Sequence, residues 1–183
     1  MRIIAGEYRG RTLQVPKALT RPTTDRVRES LFGQLGDYVE GAEVLDLFAG
    51  AGGIGTEALS RGAAACDFVE LDRIAARTIE QNLKSVGCAK GRVHQNDVET
   101  FLKRPPRRYR LIFADPPYAD GFKAPVTLLE AVTNWRDWLE DDGYFFLEQE
   151  AREQEIPLKG LQVDAVKKYG KSRITRYRVF AEE

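Results

Sequence analysis

A glycine-rich loop between an apolar run and a helical stretch is the feature that most constrains this chain. Residues 50–55 read Gly-Ala-Gly-Gly-Ile-Gly and follow the apolar run over residues 44–48. Glycine permits a tight turn and lets backbone N–H groups approach a ligand at the start of a helix. Glu70 stands 20 residues after Gly50, where a carboxylate can bind both hydroxyls of a ribose. The loop therefore predicts a site for NAD or for S-adenosylmethionine.

Around this loop, short apolar runs alternate with amphipathic stretches. The apolar runs predict strands over residues 44–48, 66–70, 93–95, 111–114 and 144–147, and the amphipathic stretches predict helices over 53–61, 73–86 and 123–135. Residues 161–167 and 173–180 are rich in β-formers and predict a C-terminal antiparallel hairpin. This order predicts a Rossmann-like α/β fold, with a seven-stranded, mostly parallel sheet and helices on both faces.

The first 40 residues have a different pattern. Residues 1–16 predict two short strands around a glycine turn, and Thr24 is a plausible N-cap for the helix that follows. The sequence therefore predicts a small β-hairpin and helix extension over residues 1–40, and a ligand-binding catalytic domain over residues 41–183. Within the second predicted helix of that domain, four residues are expected to face the core: Ile74, Ile79, Leu83 and Val86.

Composition narrows the class of protein. A chain of 183 residues with 43% hydrophobic content can bury one sizeable core. Cys66 and Cys88 lack the spacing of a disulfide framework or a metal site, so we expect reduced thiols and no bound metal. His94 lies inside a predicted strand, where we expect a packed side chain rather than a catalytic base. No apolar run suits a signal peptide or a membrane span, and we expect a cytoplasmic protein.

Charge is balanced in total but not along the chain. Lys and Arg number 28, as do Asp and Glu. Residues 103–110 contain five basic side chains and no acid, residues 159–178 contain seven basic side chains and one acid, and residues 137–155 contain eight acids. Such separation is typical of a surface that meets a polyanion, although basic runs are as often solvated loops.

Two aspartates bear on the choice of ligand. Asp46 stands beside the glycine loop, where it would repel a pyrophosphate but suit a ligand with an ammonium and a sulfonium. It therefore favours S-adenosylmethionine over NAD, and it can order the loop as well. Asp97 follows the third predicted strand, where it either binds an adenine amino group or caps a helix.

The tetrapeptide Asp115-Pro116-Pro117-Tyr118 follows the fourth predicted strand. Ligands of open α/β sheets bind at the carboxyl ends of the strands, and two prolines stiffen such a loop. The carboxylate of Asp115 and the carbonyl of Pro116 can grip the two N–H bonds of an exocyclic amine, while Tyr118 stacks on the base. This pattern predicts methylation of the amino group of a nucleobase that has left its stack.

These segments resemble known methyltransferase motifs. Residues 46–52 resemble motif I of class I methyltransferases, and residues 115–118 resemble the motif IV of those that methylate amino groups. The N-terminal segments 1–10 (MRIIAGEYRG) and 21–32 (RPTTDRVRESLF) resemble the RsmD family, the bacterial 16S ribosomal RNA guanine-N2 methyltransferases. The resemblance extends over essentially the whole chain, to the closing residues 177–180.

The resemblance implies roles for individual residues and a substrate. Expected cofactor contacts are Asp46, Phe48, Ala49, Gly50, Gly52, Gly55, Glu70, Leu71 and Asp97. Expected RNA contacts are Arg21, Arg26 and Arg28 in the N-terminal signature and, from the charge pattern, Arg104, Arg107, Lys168 and Lys171 in the two basic runs. The expected cofactor is S-adenosylmethionine, and the expected partner of this monomeric enzyme is 16S rRNA in the 30S subunit or in a late assembly intermediate.

Three alternatives remain open from the sequence. The same tetrapeptide serves adenine-N6 methyltransferases that act on DNA or RNA. The glycine loop alone allows an NAD-dependent oxidoreductase, against which Asp46 and the lack of a separate substrate domain argue. The basic patches allow a non-enzymatic RNA-binding factor in ribosome assembly.

Overall fold

The computed structural model describes residues 1–17, 24–117, 129 and 134–180. Within these residues it contains four α-helices, namely α1 (Asp25–Leu35), α2 (Gly53–Ser60), α3 (Arg73–Val86) and α4 (Val98–Leu102). It also contains seven strands, namely β1 (Glu43–Leu47), β2 (Ala65–Glu70), β3 (Gly91–Gln95), β4 (Tyr109–Ala114), β5 (Leu139–Glu150), β6 (Leu161–Tyr169) and β7 (Ser172–Val179).

All seven strands join one sheet in the order β3-β2-β1-β4-β5-β7-β6. Strands β1 to β5 pair in parallel, whereas β7 is antiparallel to both β5 and β6. The predicted seven-stranded, mostly parallel sheet with a C-terminal hairpin is therefore confirmed. The chain order reverses at β1, which lies between β2 and β4, and such a switch point is where open α/β sheets bind ligands.

Some predicted boundaries were wrong for identifiable reasons. Strand β5 spans 12 residues rather than the four apolar ones of 144–147. Its polar first residues belong to the sheet because Leu139 pairs with Tyr109 of β4. Helix α4 was not predicted, since its five residues are too few for a helical period. The helix predicted over 123–135 lies mostly outside the described residues, and Trp135 begins a 3₁₀ turn.

The N-terminal segment forms a hairpin-like turn that packs against α2. The two strands predicted there reduce to one antiparallel bridge between Arg2 and Thr12. The chain turns at Gly6 with φ +82°, where an added Cβ would lie only 1.8 Å from the carbonyl oxygen of Ser60. Only glycine permits this approach, and Ile3 and Leu13 bury their side chains against α2 and its neighbours.

Two apolar clusters cover the two faces of the sheet. On one face Phe32 of α1 packs against Phe113 of β4, with ring centroids 5.8 Å apart. On the other face Trp135 meets Phe145 edge-on at 4.7 Å. Because Phe32 and its α1 neighbours belong to the first cluster, residues 24–39 share the core of the sheet rather than forming a separate one.

A buried ion pair fastens the N-terminal segment to α2. The side chains of Arg28 and Glu57 are fully buried, with Nη1 and Oε2 3.7 Å apart. Glu57 also accepts backbone hydrogen bonds from Ile4 (2.8 Å) and Ala5 (3.0 Å). Arg28 donates to the carbonyl oxygen of Arg2 at 2.8 Å. Without Glu57, the buried Arg28 would keep only the exposed Asp25 as a carboxylate partner, and the N–H groups of Ile4 and Ala5 would lose their acceptor.

Replacement of Glu57 by alanine should destabilise the fold by about 3 kcal/mol, because Arg28 would remain buried without a carboxylate of α2. Urea unfolding measures the loss. The matched control is Glu99→Ala, which removes an exposed i,i+4 pair with Lys103 and should leave stability nearly unchanged. Equal stabilities of the two variants would contradict the role of the buried pair.

Candidate active site

The glycine loop turns through three left-handed residues at the end of β1. Phe48 has φ 58°, Gly50 φ 58° and Gly52 φ 76°. Phe48 is the one non-glycine residue with positive φ in the described part of the chain, which marks backbone strain at this turn. Gly55 is needed for another reason, since an added Cβ would lie 2.3 Å from a ring carbon of Phe68. The absence of a side chain at Gly55 lets α2 approach β2 closely.

Asp46 is buried beneath the loop. Its side chain is 2% exposed, and its carboxylate accepts a hydrogen bond of 2.9 Å from the N–H of Gly55. Burial, together with the charges of Asp115 and Glu70, raises the pKa of Asp46 to about 8 in spite of the lowering effect of the Gly55 hydrogen bond. Asp46 therefore orders the start of α2 and supplies an acidic floor to the loop.

Glu70 closes the other side of the loop. Its carboxylate accepts hydrogen bonds from the N–H groups of Gly50 (2.7 Å) and Asp72 (2.8 Å). Burial raises the pKa of this half-buried carboxyl. Leu71 and Ile74 beside it are both 66% exposed. The prediction that Ile74 faces the core was therefore wrong, because the first turn of α3 lies at the edge of the sheet.

The remaining predicted cofactor residues lie at the same carboxyl edge. The N–H of Ala49 donates to the carbonyl oxygen of Val69 at 3.1 Å, which joins the loop to β2. Asp97 follows β3 and caps α4, where its carboxylate accepts from the N–H of Thr100 at 3.2 Å. The helix-cap interpretation of Asp97 is thus confirmed, and its position at this edge keeps it beside the end of β2.

Asp115 begins the predicted catalytic tetrapeptide at the end of β4. Its N–H lies 3.5 Å from the carbonyl oxygen of Leu47, so the tetrapeptide starts next to the glycine loop. Asp115 is half-buried, Pro116 buried and Pro117 exposed, whereas Tyr118 lies outside the described residues.

A narrow, mostly apolar pocket opens beside Asp115. Its walls come from α1, α2, β4, β5 and β7, and consist of Leu31, Ile54, Phe113, Ala114, Asp115, Phe146, Glu148 and Ile174. The sequence analysis missed Leu31, Ile54 and Glu148 as site residues. Their place depends on sheet order and on the seating of α1, and neither is visible in a motif.

The predicted RNA contacts fall in different places. Arg26 on α1 is exposed, and so are Lys168 and Lys171 at the tip of the β6–β7 hairpin. Arg28 was wrongly predicted, because its fully buried guanidinium is engaged with Arg2, Gly53, Asp25 and Glu57 and does not face solvent. Arg21 lies outside the described residues.

The basic run 103–110 leads from the end of α4 into the first residues of β4, at the opposite edge of the sheet. Arg107 pairs with Glu43 at 2.6 Å at the start of β1, and Arg108 pairs with Asp141 at 2.5 Å. The guanidinium carbon of Arg104 lies 5.2 Å from the centroid of the Phe101 ring, a distance typical of a cation–π pair. This run is therefore engaged in holding the amino edge of the sheet.

His94 lies in β3, where its ring packs within a network of polar side chains. His94 Nε2 lies 2.7 Å from a carboxylate oxygen of Asp67, within a network that includes Arg92 and Tyr109. This packed position agrees with the sequence interpretation. No group of metal-ligating side chains occurs among the residues that the structure describes. Within the same residues, no helix has the length and apolar character needed to cross a bilayer.

The site fits S-adenosylmethionine better than a dinucleotide. The charges of Glu70 and Asp115 act on the buried Asp46, and this group of carboxyls favours a ligand with an ammonium and a sulfonium. The same carboxyls would oppose the pyrophosphate of NAD. The exposed Leu71 and Ile74 form an apolar surface beside the carboxylate of Glu70. Fold and site together define a class I, S-adenosylmethionine-dependent methyltransferase.

Comparison with known proteins agrees with this class. The family described as "Conserved hypothetical protein 95" matches residues 1–178, and the chain belongs to this family, the RsmD family. It is 44% identical over 163 residues to "Putative rRNA methyltransferase YlbH" of Bacillus subtilis, with 86% of each chain covered. It is 39% identical over 152 residues to Ribosomal RNA small subunit methyltransferase D of Escherichia coli, with 82% of this chain and 75% of that protein covered.

A solved structure gives the same result for the fold. "Putative methyltransferase yhhF" from Escherichia coli superposes with a TM-score of 0.84 at 36% identity, covering 100% of this chain and 99% of that one. The structural similarity therefore extends over the whole chain, including the N-terminal segment and the C-terminal hairpin.

The raised pKa of Asp46 predicts a pH-dependent affinity for S-adenosylmethionine. At pH values below the pKa of about 8, the carboxyl of Asp46 is protonated in the free protein. At higher pH it is ionised and attracts the cationic ligand. Affinity measured by calorimetry should therefore rise as the pH rises through this value. Asp46→Asn is the control, since the titration of the ligand's own amino group remains while that of residue 46 is lost. Identical pH profiles for both proteins would contradict the assignment.

Proposed function

We propose that this protein transfers the methyl group of S-adenosylmethionine to the exocyclic N2 amine of a guanine in 16S rRNA. The observation that carries the proposal is the position of Asp115 and Pro116 at the end of β4, directly beside the acidic glycine loop. Membership of the RsmD family and the similarity to Ribosomal RNA small subunit methyltransferase D support rRNA as the substrate.

The chemistry required of the protein is mainly positioning. The lone pair of an exocyclic amine is conjugated with the ring, which makes this nitrogen a poor nucleophile. Asp115 and the carbonyl of Pro116 would accept its two N–H bonds and favour a more tetrahedral nitrogen. The stiff diproline segment would hold both acceptors in place, and Tyr118 would stack on the base.

The acidic site also binds the sulfonium form of the cofactor more strongly than the thioether that remains after methyl transfer. S-adenosylmethionine supplies an electrophilic methyl group on a sulfonium, which leaves as a neutral thioether. Asp46, Glu70 and Asp115 therefore attract the ligand before transfer more strongly than after it. Pro116 and the apolar pocket walls would exclude water from the amine.

The alternatives from the sequence are less well supported. The carboxylates of Glu70 and Asp115, whose charges act on Asp46, disfavour the pyrophosphate of a nicotinamide dinucleotide. A purely structural assembly factor would not require the strained loop at Phe48 or the diproline segment. Adenine-N6 methylation uses the same amine-binding geometry, and the nucleoside analysis below separates it from guanine-N2 methylation.

The substrate form that we propose is the 30S subunit or a late assembly intermediate, modified by a cytoplasmic monomer. The test is to incubate the protein with labelled S-adenosylmethionine and unmethylated 30S subunits, and then to digest the RNA. Labelled N2-methylguanosine supports the proposal, whereas labelled N6-methyladenosine alone contradicts the choice of base.

Asp115→Ala should lower the rate of methyl transfer at least about 100-fold, because the amine loses its charged acceptor. Calorimetry should show that S-adenosylmethionine still binds. The matched control is Asp141→Ala, an exposed aspartate at the opposite edge of the sheet, which should retain the wild-type rate. Full activity of the Asp115 variant would refute its catalytic role.

The topology favours the hairpin tip as the RNA-binding surface. Strand β5 continues three residues beyond Leu147, which pairs with Ala114, and Glu150 pairs with Ser172 next to the hairpin turn. The turn that carries Lys168 and Lys171 therefore projects past the catalytic edge. Tyr169 bonds to Ser30 of α1 at 2.6 Å and so joins this turn to the helix that bears Arg26.

Replacement of both Lys168 and Lys171 by alanine should weaken binding of the 30S subunit and lower the salt dependence of log K by about 2 in slope, one for each lost phosphate contact. The paired control is Arg104→Ala with Arg107→Ala at the other edge, where binding should change little. Filter binding at several salt concentrations gives both values. A larger loss from the arginine pair would place the RNA on the opposite edge.

A further inference from the structure

The pocket beside Asp115 contains a second carboxylate, that of Glu148. Ala114 of β4 pairs in register with Leu147 of β5, so Asp115 and Glu148 are the next residues along two neighbouring parallel strands. Both line the same pocket. Neighbouring parallel strands lie about 4.8 Å apart, which places the two residues side by side at the carboxyl edge of the sheet.

The rest of the pocket lining is apolar and buried, whereas Asp115 and Glu148 are partly exposed. Leu31 and Ile54 come from α1 and α2, while Phe113, Phe146 and Ile174 come from the sheet. Phe113 and Phe146 stack on each other with ring centroids 5.2 Å apart and an interplanar angle of 18°. A base that leaves its stack would meet these two carboxyl groups at the mouth of the pocket, and flipped bases are commonly recognised along their Watson–Crick edge.

Guanine and adenine differ on that edge at N1. In guanine the N1 atom carries a hydrogen next to the N2 amine, whereas in adenine N1 carries none and accepts a hydrogen bond. A carboxylate accepts hydrogen bonds but does not donate them. It therefore pairs with the N1–H of guanine and repels the unprotonated N1 of adenine. Asp115 and Pro116 are already assigned to the amine, which leaves Glu148 for the neighbouring ring position.

We propose that Glu148 determines base identity by accepting the N1–H of the target guanine. This inference deepens the proposed function and depends on it. It also gives a structural reason for guanine in a site whose tetrapeptide is shared with adenine methyltransferases. Glu148 acts on recognition, and the methyl transfer itself remains with Asp115.

The test compares guanine with 2-aminopurine at the methylated position of 16S rRNA, introduced by ligation and assembled into 30S subunits. The analogue keeps the amine at C2 but has no hydrogen on N1. The wild-type protein should prefer guanine at least about 100-fold in kcat/KM, because the unprotonated N1 would face a carboxylate. In Glu148→Gln the preference should fall at least about tenfold, since an amide can donate to N1 of the analogue or accept from guanine.

The ratio of kcat/KM for guanine to kcat/KM for 2-aminopurine separates a loss of base recognition from a general loss of activity. Any intrinsic difference between the amines cancels when variant and wild type are compared. Glu140→Gln, on the same strand at the amino edge, is the control and should keep the wild-type preference. An unchanged preference in a Glu148→Gln protein that still binds S-adenosylmethionine would overturn the role of Glu148. Wild-type methylation of guanine at N2 would then still uphold the proposed function.

Discussion

The hydrogen bond from the N–H of Gly55 to the buried carboxylate of Asp46 is the interaction on which the site depends. It joins the end of β1 to the first turn of α2 across the glycine loop. Glu70 binds the other end of that loop through Gly50, so two strands determine the path of the loop between them. Burial of Asp46 weakens its own ionisation, and the loop thus gains order together with a charge that responds to a cationic ligand.

The N-terminal segment is part of this arrangement and not an appendage to it. Arg28 reaches from α1 to the carbonyl oxygen of Gly53, at the start of the same helix that Asp46 orders. Met1 occupies the space next to Gly53, where an added Cβ would lie 2.5 Å from its sulfur. Leu31 of α1 reaches the pocket beside Asp115. A segment whose sequence suggests an RNA-binding extension therefore also shapes the wall of the catalytic pocket.

The two edges of the sheet carry different charged groups. Carboxylates gather at the carboxyl edge, where a cationic cofactor is expected, while exposed lysines of the β6–β7 hairpin project past them. At the amino edge the arginines are held in pairs with Glu43 and Asp141. The two basic runs look alike in sequence, yet one is engaged within the protein and the other extends beside the site. That difference matters for RNA because phosphate contacts require cations that face the substrate.

The sequence by itself determined the order of strands and helices, the glycine loop with Asp46 and Glu70, and the tetrapeptide that begins at Asp115. These features are local, since strand and helix periods and turn glycines depend on near neighbours along the chain. Only the tertiary structure decided that Arg28 is buried, that Glu148 lies next to Asp115, and which basic run projects past the catalytic edge. Those facts depend on which strands become neighbours and on how α1 packs against the sheet, and neither is encoded in any single segment.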